Sequence, residues 1–591
     1  MTLNQTNNFK LTTPHACIII WNYDDRLGSN PTDNSTVNTV NQVILDTISC
    51  VSIHTSKSKS SPAGTFQFEL APWRDWVSQI TAGSWCTILM SNQPITEAQL
   101  PTGGGKADKN YVKMIGKIES VRMDVNVDEE GARHTRYIVT GTDWGHIFNN
   151  VLYIDNLIAS ASDPVNQGNT IAIALQKQLF GDGNTPQSFK VADNLVALLG
   201  IFGASTEGLV KASGAINRID KSIYDFLIPT KMAQYFNFVD GDGNASQLTT
   251  LSDLLTLQTG KLSSYNTYTD TNEAFGFIDP FSIQGTNTFW QILMDNSNPA
   301  LNELYNEIEW DQNNQGDIGP SLTIYNRIKP FSYRTNLSFA ASESGIRSPF
   351  TLLKTHTIDN IKVMSINIGT NWRDKYNFVE IRPLFQDFKI LEGWTAQKAQ
   401  GFDPVAFNRE GFRPLIIGTK QFPVLPSGTS GTYDAGQLSS WVALLKEWYF
   451  DTHKLLNGTL TMTGATEYIG VGNNILFEAG LINPTMNINT GANQSQNTNY
   501  ILAHVENIDH NFTVSPDGAR TYTTQIQFVR GLVVNKSNGN YTLVGSGSLD
   551  ELASTLQNIL YKNTTNTVST SDGINDPTHP IDPDPQKLRG D

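Results

Sequence analysis

Between residues 64 and 70, Phe66, Phe68 and Leu70 share one face of an extended chain, and Thr65, Gln67 and Glu69 share the other. The same two-residue period runs through 84–90, where Cys86, Ile88 and Met90 alternate with Trp85, Thr87 and Leu89. Extended runs at 17–21 (CIIIW) and 42–55 precede these. Runs at 114–127 and 133–141 follow, joined by Asp128-Glu129-Glu130-Gly131, which predicts a hairpin turn. Residues 14 to about 155 therefore read as a compact antiparallel barrel or sandwich. From 163 to 312 the apolar spacing becomes three and four, in IAIALQKQLF, NLVALLGIF, SIYDFLI and FWQILM, which predicts helices. β character returns near 355 and is interrupted at about 437–456 by an amphipathic helix with Trp441, Leu444, Leu445, Trp448 and Leu455 on one stripe. Strands resume at 458–463, 474–478 and 500–534. Near the end Ser548 and Glu551 form a capping box ahead of Leu549, Leu552, Leu556, Ile559 and Leu560.

These elements predict an α+β chain in four parts. Residues 1–155 form a first β-barrel domain, 156–345 a mostly helical middle domain, and 346–540 a second β-barrel domain with an inserted helix. Residues 541–591 form a short helix and a flexible tail that lacks the apolar residues needed for a core.

The two β regions resemble each other in order and spacing. GTFQFEL (64–70) matches GTLTMTG (458–464), AGSWCTILM (82–90) matches VGNNILFEA (471–479), and residues 117–133 match 504–520 without a gap. In the last pair Glu119 meets Glu506, Gly131 meets Gly518 and Arg133 meets Arg520. Glycine at 131 and 518 supplies the positive φ that a tight hairpin requires. A duplicated β unit is the reading that three blocks in the same order support.

Charge narrows the function classes. Lys and Arg total 41 against 56 Asp and Glu, a net charge of −15, and 55 asparagines supply much of the polar character. An acidic chain without a basic stripe is a poor binder of nucleic acid. No apolar run is long enough for a transmembrane helix, and the start shows no secretory signal. Three cysteines, Cys17, Cys50 and Cys86, are too few and too clustered for a disulfide scaffold and suit reducing cytoplasm.

Candidate chemistry is sparse. His504, Glu506 and His510 have even spacing and would share one side of a regular strand, as a metal site needs, but the plainer expectation is a solvent-facing polar edge. The matching first-barrel positions, Lys117, Glu119 and Met123, cannot bind a metal together. Asp240, Asp242, Asn244 and Ser246 have calcium-loop spacing, but Ala245 and Leu251 stand where Gly and Glu are required. Thr102-Gly103-Gly104-Gly105-Lys106 lacks the first glycine and the final Ser or Thr of a phosphate loop and reads as a flexible hairpin loop. No Gly-x-Ser-x-Gly elbow occurs, Cys86 reads as a core thiol, and the pairs Asp24-Asp25 and Glu129-Glu130 fall at turns. Glu303 and Glu307 read as a solvated face of a middle-region helix. No catalytic, cofactor-binding or metal residue and no cofactor is expected.

Three features together resemble the baseplate hub proteins of contractile-tailed bacteriophages. The first is Trp76 followed by Gly83-x-x-x-x-Ile88 and Gly116-Lys117-Ile118-Glu119-Ser120-Val121. The second is the pair of segments 285–308 and Pro320 to Phe331, and the third is the stretch 505–531. The resemblance implies two tube-like barrels per subunit and a homotrimeric ring that joins the hexameric tail tube to the spike trimer. Its implied partners are tail-tube or tube-initiator proteins, baseplate wedge proteins and a tape measure protein, with genome DNA passing through unbound. The implied location is the virion tail baseplate, assembled in host cytoplasm. The competing expectations are a hub-associated cell-wall-degrading enzyme, acting through the 163–312 region, and the hub of a non-phage contractile injection system.

Overall fold

The computed structural model describes residues 13–22, 41–127, 133–149, 227–237, 288–297, 301–310, 320–329, 354–383, 400–419, 448–482, 499–537 and 540–543 apart from isolated positions, with a few short stretches between them. Strands dominate these residues. The first β region contains β1 (His15–Asn22), β2 (Asn41–Leu45), β3 (Cys50–Ser58), β4 (Thr65–Leu70), β5 (Trp85–Ser91), β6 (Val112–Val127) and β7 (Arg133–Asp143). Both faces of β1 and β5 are covered, so these two strands are apolar almost throughout. Cys17, Ile19, Trp21, Trp85 and Leu89 join one core cluster, and Ala16, Ile18, Ile20, Cys86, Ile88 and Met90 join another.

The described part of the middle region is not mostly helical. It contains α1 (Thr230–Phe236) and α2 (Phe289–Asn296), the latter capped by the Thr288 side chain accepting from the Gln291 amide. It also contains a three-stranded sheet of β8 (Leu255–Thr259), β9 (Asn302–Glu309) and β10 (Ser321–Ile328). β8 runs parallel and β9 antiparallel to β10. The helical expectation fails at 302–309 because β9 is covered on both faces. Its Leu304, Tyr305 and Ile308 therefore show no two-residue period, and their spacing imitates a helix. The runs at 171–180 and 194–202 lie outside the described residues.

The second β region contains β11 (Thr355–Thr357), β12 (Val363–Thr370), β16 (Leu456–Thr463), β17 (Asn474–Glu478), β18 (Asn499–Val514), β19 (Arg520–Ser537) and β20 (Asn540–Leu543). Inserted between β12 and β16 is a small sheet of β13 (Phe378–Pro383), β14 (Gln400–Phe402) and β15 (Pro414–Thr419), with α3 (Pro404–Glu410) capped by Asp403. The expected helix near 437–456 is present at Val442, Leu445, Lys446, Trp448 and Tyr449, with Leu445 fully buried. Leu455 is not on it: it follows a 3-10 turn and packs in the second β core. The terminal helix around 549–560 lies outside the described residues.

Among the described residues both β regions belong to one fourteen-stranded sheet whose main path is β12–β16–β19–β18–β3–β4–β7–β6–β5–β1–β2, with β11, β17 and β20 off it. Among the described residues this path does not close, so the two expected barrels are two open sheets joined edge to edge. The reason lies in β18, whose second half turns away from β17 and pairs with β3 of the other repeat.

Candidate functional site

The duplication holds at the level of individual hydrogen bonds. In the first repeat Ser120 faces Thr140, Val121 faces Val139 and Val127 faces Arg133. In the second, the equivalent positions pair identically: Asn507 with Gln527, Ile508 with Ile526 and Val514 with Arg520. Both hairpins have a β-bulge at the same place, between Ile118 and Ser120 and between Val505 and Asn507, and the second has another between Leu502 and His504. The residues skipped at the shared place are the two matched glutamates, Glu119 and Glu506. Bulges of this kind bend a long strand and re-aim its second half. Gly83 and Gly472, with φ of 88° and 78°, donate to the carbonyls of Ile118 and Val505. Trp85 faces Lys117 as Asn474 faces His504. The hairpin glycines Gly131 and Gly518 have φ of 81° and 82°, as their spacing predicted.

The bend after Glu506 builds the junction between the repeats. From Asn507 opposite Ser58 to Thr513 opposite Ser52, β18 and β3 form a continuous antiparallel ladder. The hairpin tip goes further, since Phe512 and Tyr522 of the second repeat pack into the core of the first beside Phe66 and Phe68. Polar groups fix the same joint. Lys59 donates to Glu506 at 2.5 Å and to Glu303 of β9 at 3.0 Å, tying both repeats to the middle sheet. Burial alone would lower the Lys59 pKa, but the two carboxylates outweigh it and hold the ammonium above its usual range. Lys57 pairs with Asp143 and donates to Asn306 Oδ1 at 2.5 Å.

The chain matches no family model and no curated protein. Among solved structures it is similar to a tail protein from Neisseria meningitidis MC58, with 10% identity over 88% of this chain and 96% of that one and a TM-score of 0.38. It is similar to the 43 kDa tail protein of prophage MuSo2 from Shewanella oneidensis, with 12% identity over 83% of this chain and 95% of that one and a TM-score of 0.35. A third likeness is to a chain of a Francisella PdpA-VgrG complex, with 9% identity over 92% of this chain and 55% of that one and a TM-score of 0.34. Likenesses this distant leave function to the chain's own geometry.

The residues singled out in the sequence fall as follows. His504 and His510 are buried, not solvent-facing. His504 Nδ1 lies 3.2 Å from Asn474 Oδ1, and His510 Nδ1 lies 3.0 Å from Thr524 Oγ1 and 3.2 Å from the Tyr522 hydroxyl. Burial, with Lys113 and His54 nearby, drives the His510 pKa far down and keeps it neutral. Glu506 is the residue skipped at the bulge and its carboxylate is paired with Lys59, and no group of three or more His, Cys, Asp or Glu among the described residues is arranged to hold a metal.

Glu303 and Glu307 are not a solvated helix face but buried members of β9. Glu307 accepts from the Tyr468 hydroxyl, from the Val471 amide at 2.6 Å and from its neighbour's Ile308 amide at 2.8 Å. Burial raises its pKa against those bonds and the nearby Lys57 charge. A perturbed carboxyl locked by three donors on two segments joins the middle sheet to the second repeat, and structural networks perturb pKa as active sites do. The segment 102–106 lies in the connection between β5 and β6, where Lys106 donates to the Gln234 carbonyl at 2.7 Å. Cys86 is a buried thiol in the core, its pKa raised by burial, and Cys17 and Cys50 are likewise buried and free. Asp24, Asp25, Glu129, Glu130 and the 240–246 loop lie outside the described residues. No helix among the described residues is long and apolar enough to cross a membrane.

Proposed function

We infer that this chain is a structural, ring-forming subunit of a phage-type tail: a baseplate hub that closes as a homotrimer between the tail tube and the central spike. The observation that carries this reading is the junction of two register-matched repeats within one chain. A unit that pairs edge to edge with its own duplicate is a unit built to repeat around an axis. Three such chains present six similar sheets, which meets a six-fold tube on one side and a three-fold spike on the other. The sequence resemblance to hub proteins supplies that architectural setting, and the four-part domain division belongs to the same proposal. A net charge of −15 suits a ring through which DNA passes without sticking. Tail-tube, wedge, tape measure and spike proteins are the partners it implies, and the virion tail is its location.

The test is the native mass of the purified chain, alone and with a spike trimer. The expected value is near three times 65.2 kDa. A folded monomer at micromolar concentration overturns the ring. A cell-wall turbidity assay accompanies it: clearing that is lost on Glu303→Gln or Glu307→Gln would replace the structural reading with an enzymatic one.

A further inference from the structure

Building on the ring reading, we propose that the second half of β6 in one copy pairs antiparallel with β12 of the next copy, in the register that β18 and β3 already use inside the chain. The argument begins with two open edges. β6 pairs with β5 only as far as Lys117, and beyond the bulge its β5-side edge meets no strand among the described residues. β12 is the terminal strand of the sheet path, with β16 on its inner side and nothing on its outer side among the described residues.

These edges are the repeat-mates of the joined ones. β6 corresponds to β18 through the shared bulge and hairpin register. β12 corresponds to β3 because Ser56 faces Thr65 and Thr55 faces Phe66, just as Asn367 faces Thr459 and Ile366 faces Leu460. Transferring the internal ladder sets Ser120 opposite Gly369, Val121 opposite Ile368, Arg122 opposite Asn367, Met123 opposite Ile366 and Asp124 opposite Ser365.

Exposure selects the same residues. Inside the chain Ile508, His510 and Phe512 are buried at the junction, as are Ile53, Thr55 and Lys57. At the open edges, Met123 is 53% exposed, Val125 44%, Val127 61% and Met364 60%, and Ile361 beside β12 is 83% exposed. A long apolar edge with unpaired backbone groups is a template for another strand. Alternation fixes its register, because a one-residue slip would turn Val121, Met123 and Val125 to the wrong face. The occupant is a second copy, since the chain itself contains the complementary edge in matching register.

The experiment is disulfide trapping of the full-length chain carrying Asp124→Cys and Ser365→Cys. The internal counterparts of this pair, Asn511 and His54, touch side chain to side chain at 2.7 Å. The native thiols are buried and stay out of the reaction. The expected result on a non-reducing gel is a reducible ladder from the double variant, and only dimers from a mixture of the two single variants. Met123→Asp should abolish the ladder while leaving the thermal transition in place, because Met123 faces solvent in a lone copy. An oligomer by mass that gives no cross-link overturns the edge pairing and leaves the ring reading standing. So does equal cross-linking by the displaced pair Ser120→Cys and Ser365→Cys. A ladder extending beyond three copies supports the edge pairing and overturns the trimer, and a folded monomer at micromolar concentration overturns both.

Discussion

Gly83 and Gly472 occupy equivalent turns, yet their surroundings differ. Both have positive φ, but a side chain at 83 would meet no atom within 4 Å, while a Cβ at 472 would lie 2.5 Å from the Tyr305 ring. Gly83→Ala should therefore cost about 1 kcal/mol of left-handed strain. Gly472→Ala should cost measurably more, because Tyr305 is itself buried and cannot swing away; denaturant midpoints of the two variants compare them directly. Lys113 gives a pH test. It is buried, donates to the Asn110 carbonyl at 3.0 Å, and burial lowers its pKa to about 7 despite the Glu467 and Asp108 charges. Its folded pKa lies below its unfolded one, so the stability linked to its neutral form is complete above the unfolded value of 10.5 and is lost as pH falls through about 7. Lys113→Met should therefore gain in melting temperature relative to the parent as pH falls from 10 towards 7. A difference that stays flat across that window would contradict the assignment.

At the level of elements, the junction rests on an aromatic tip and an ammonium. Phe512→Ala removes a fully buried ring from the first repeat's core and should cost about 3–5 kcal/mol in a denaturant melt. Lys59→Met leaves Glu303 and Glu506 facing each other without their shared cation, a loss on the order of 3 kcal/mol. The hairpins were legible in the sequence because Gly131 and Gly518 have a local conformational task and the flanking residues alternate. The open sheets were not, because closure depends on where the second half of β18 points, and that is set by pairing with a strand some 450 positions earlier. Glu303 and Glu307 misled for a related reason. A strand covered on both faces shows no alternation, and its charges look solvated until their partners Lys59 and Tyr468 are brought in by tertiary folding. The burial of His504 and His510 has the same origin.

For the whole molecule, the internal and proposed external junctions share a ladder but not a charge pair. Inside the chain Lys59 closes the joint against Glu506, with its own amide donating to the Glu506 carbonyl at 2.8 Å. One position beyond Gly369, the repeat-mate of Lys59 is Thr370, which cannot supply a charge to Glu119 of the next copy. Glu119 is instead exposed and accepts from Thr142 Oγ1 at 2.7 Å within its own hairpin. The joint between copies should therefore be the weaker of the two, so that dilution separates folded chains before either repeat unfolds. Thr370→Lys tests this asymmetry by placing an ammonium where the internal junction has one. The expected gain is that of a partly exposed ion pair, up to about 1 kcal/mol, or a few-fold tighter assembly. It should be read as a lower dissociation concentration by mass measurement on dilution, and it should shrink as salt is raised. Tightening that also occurs with Thr370→Met would assign the gain to apolar contact, and the charge argument would fail.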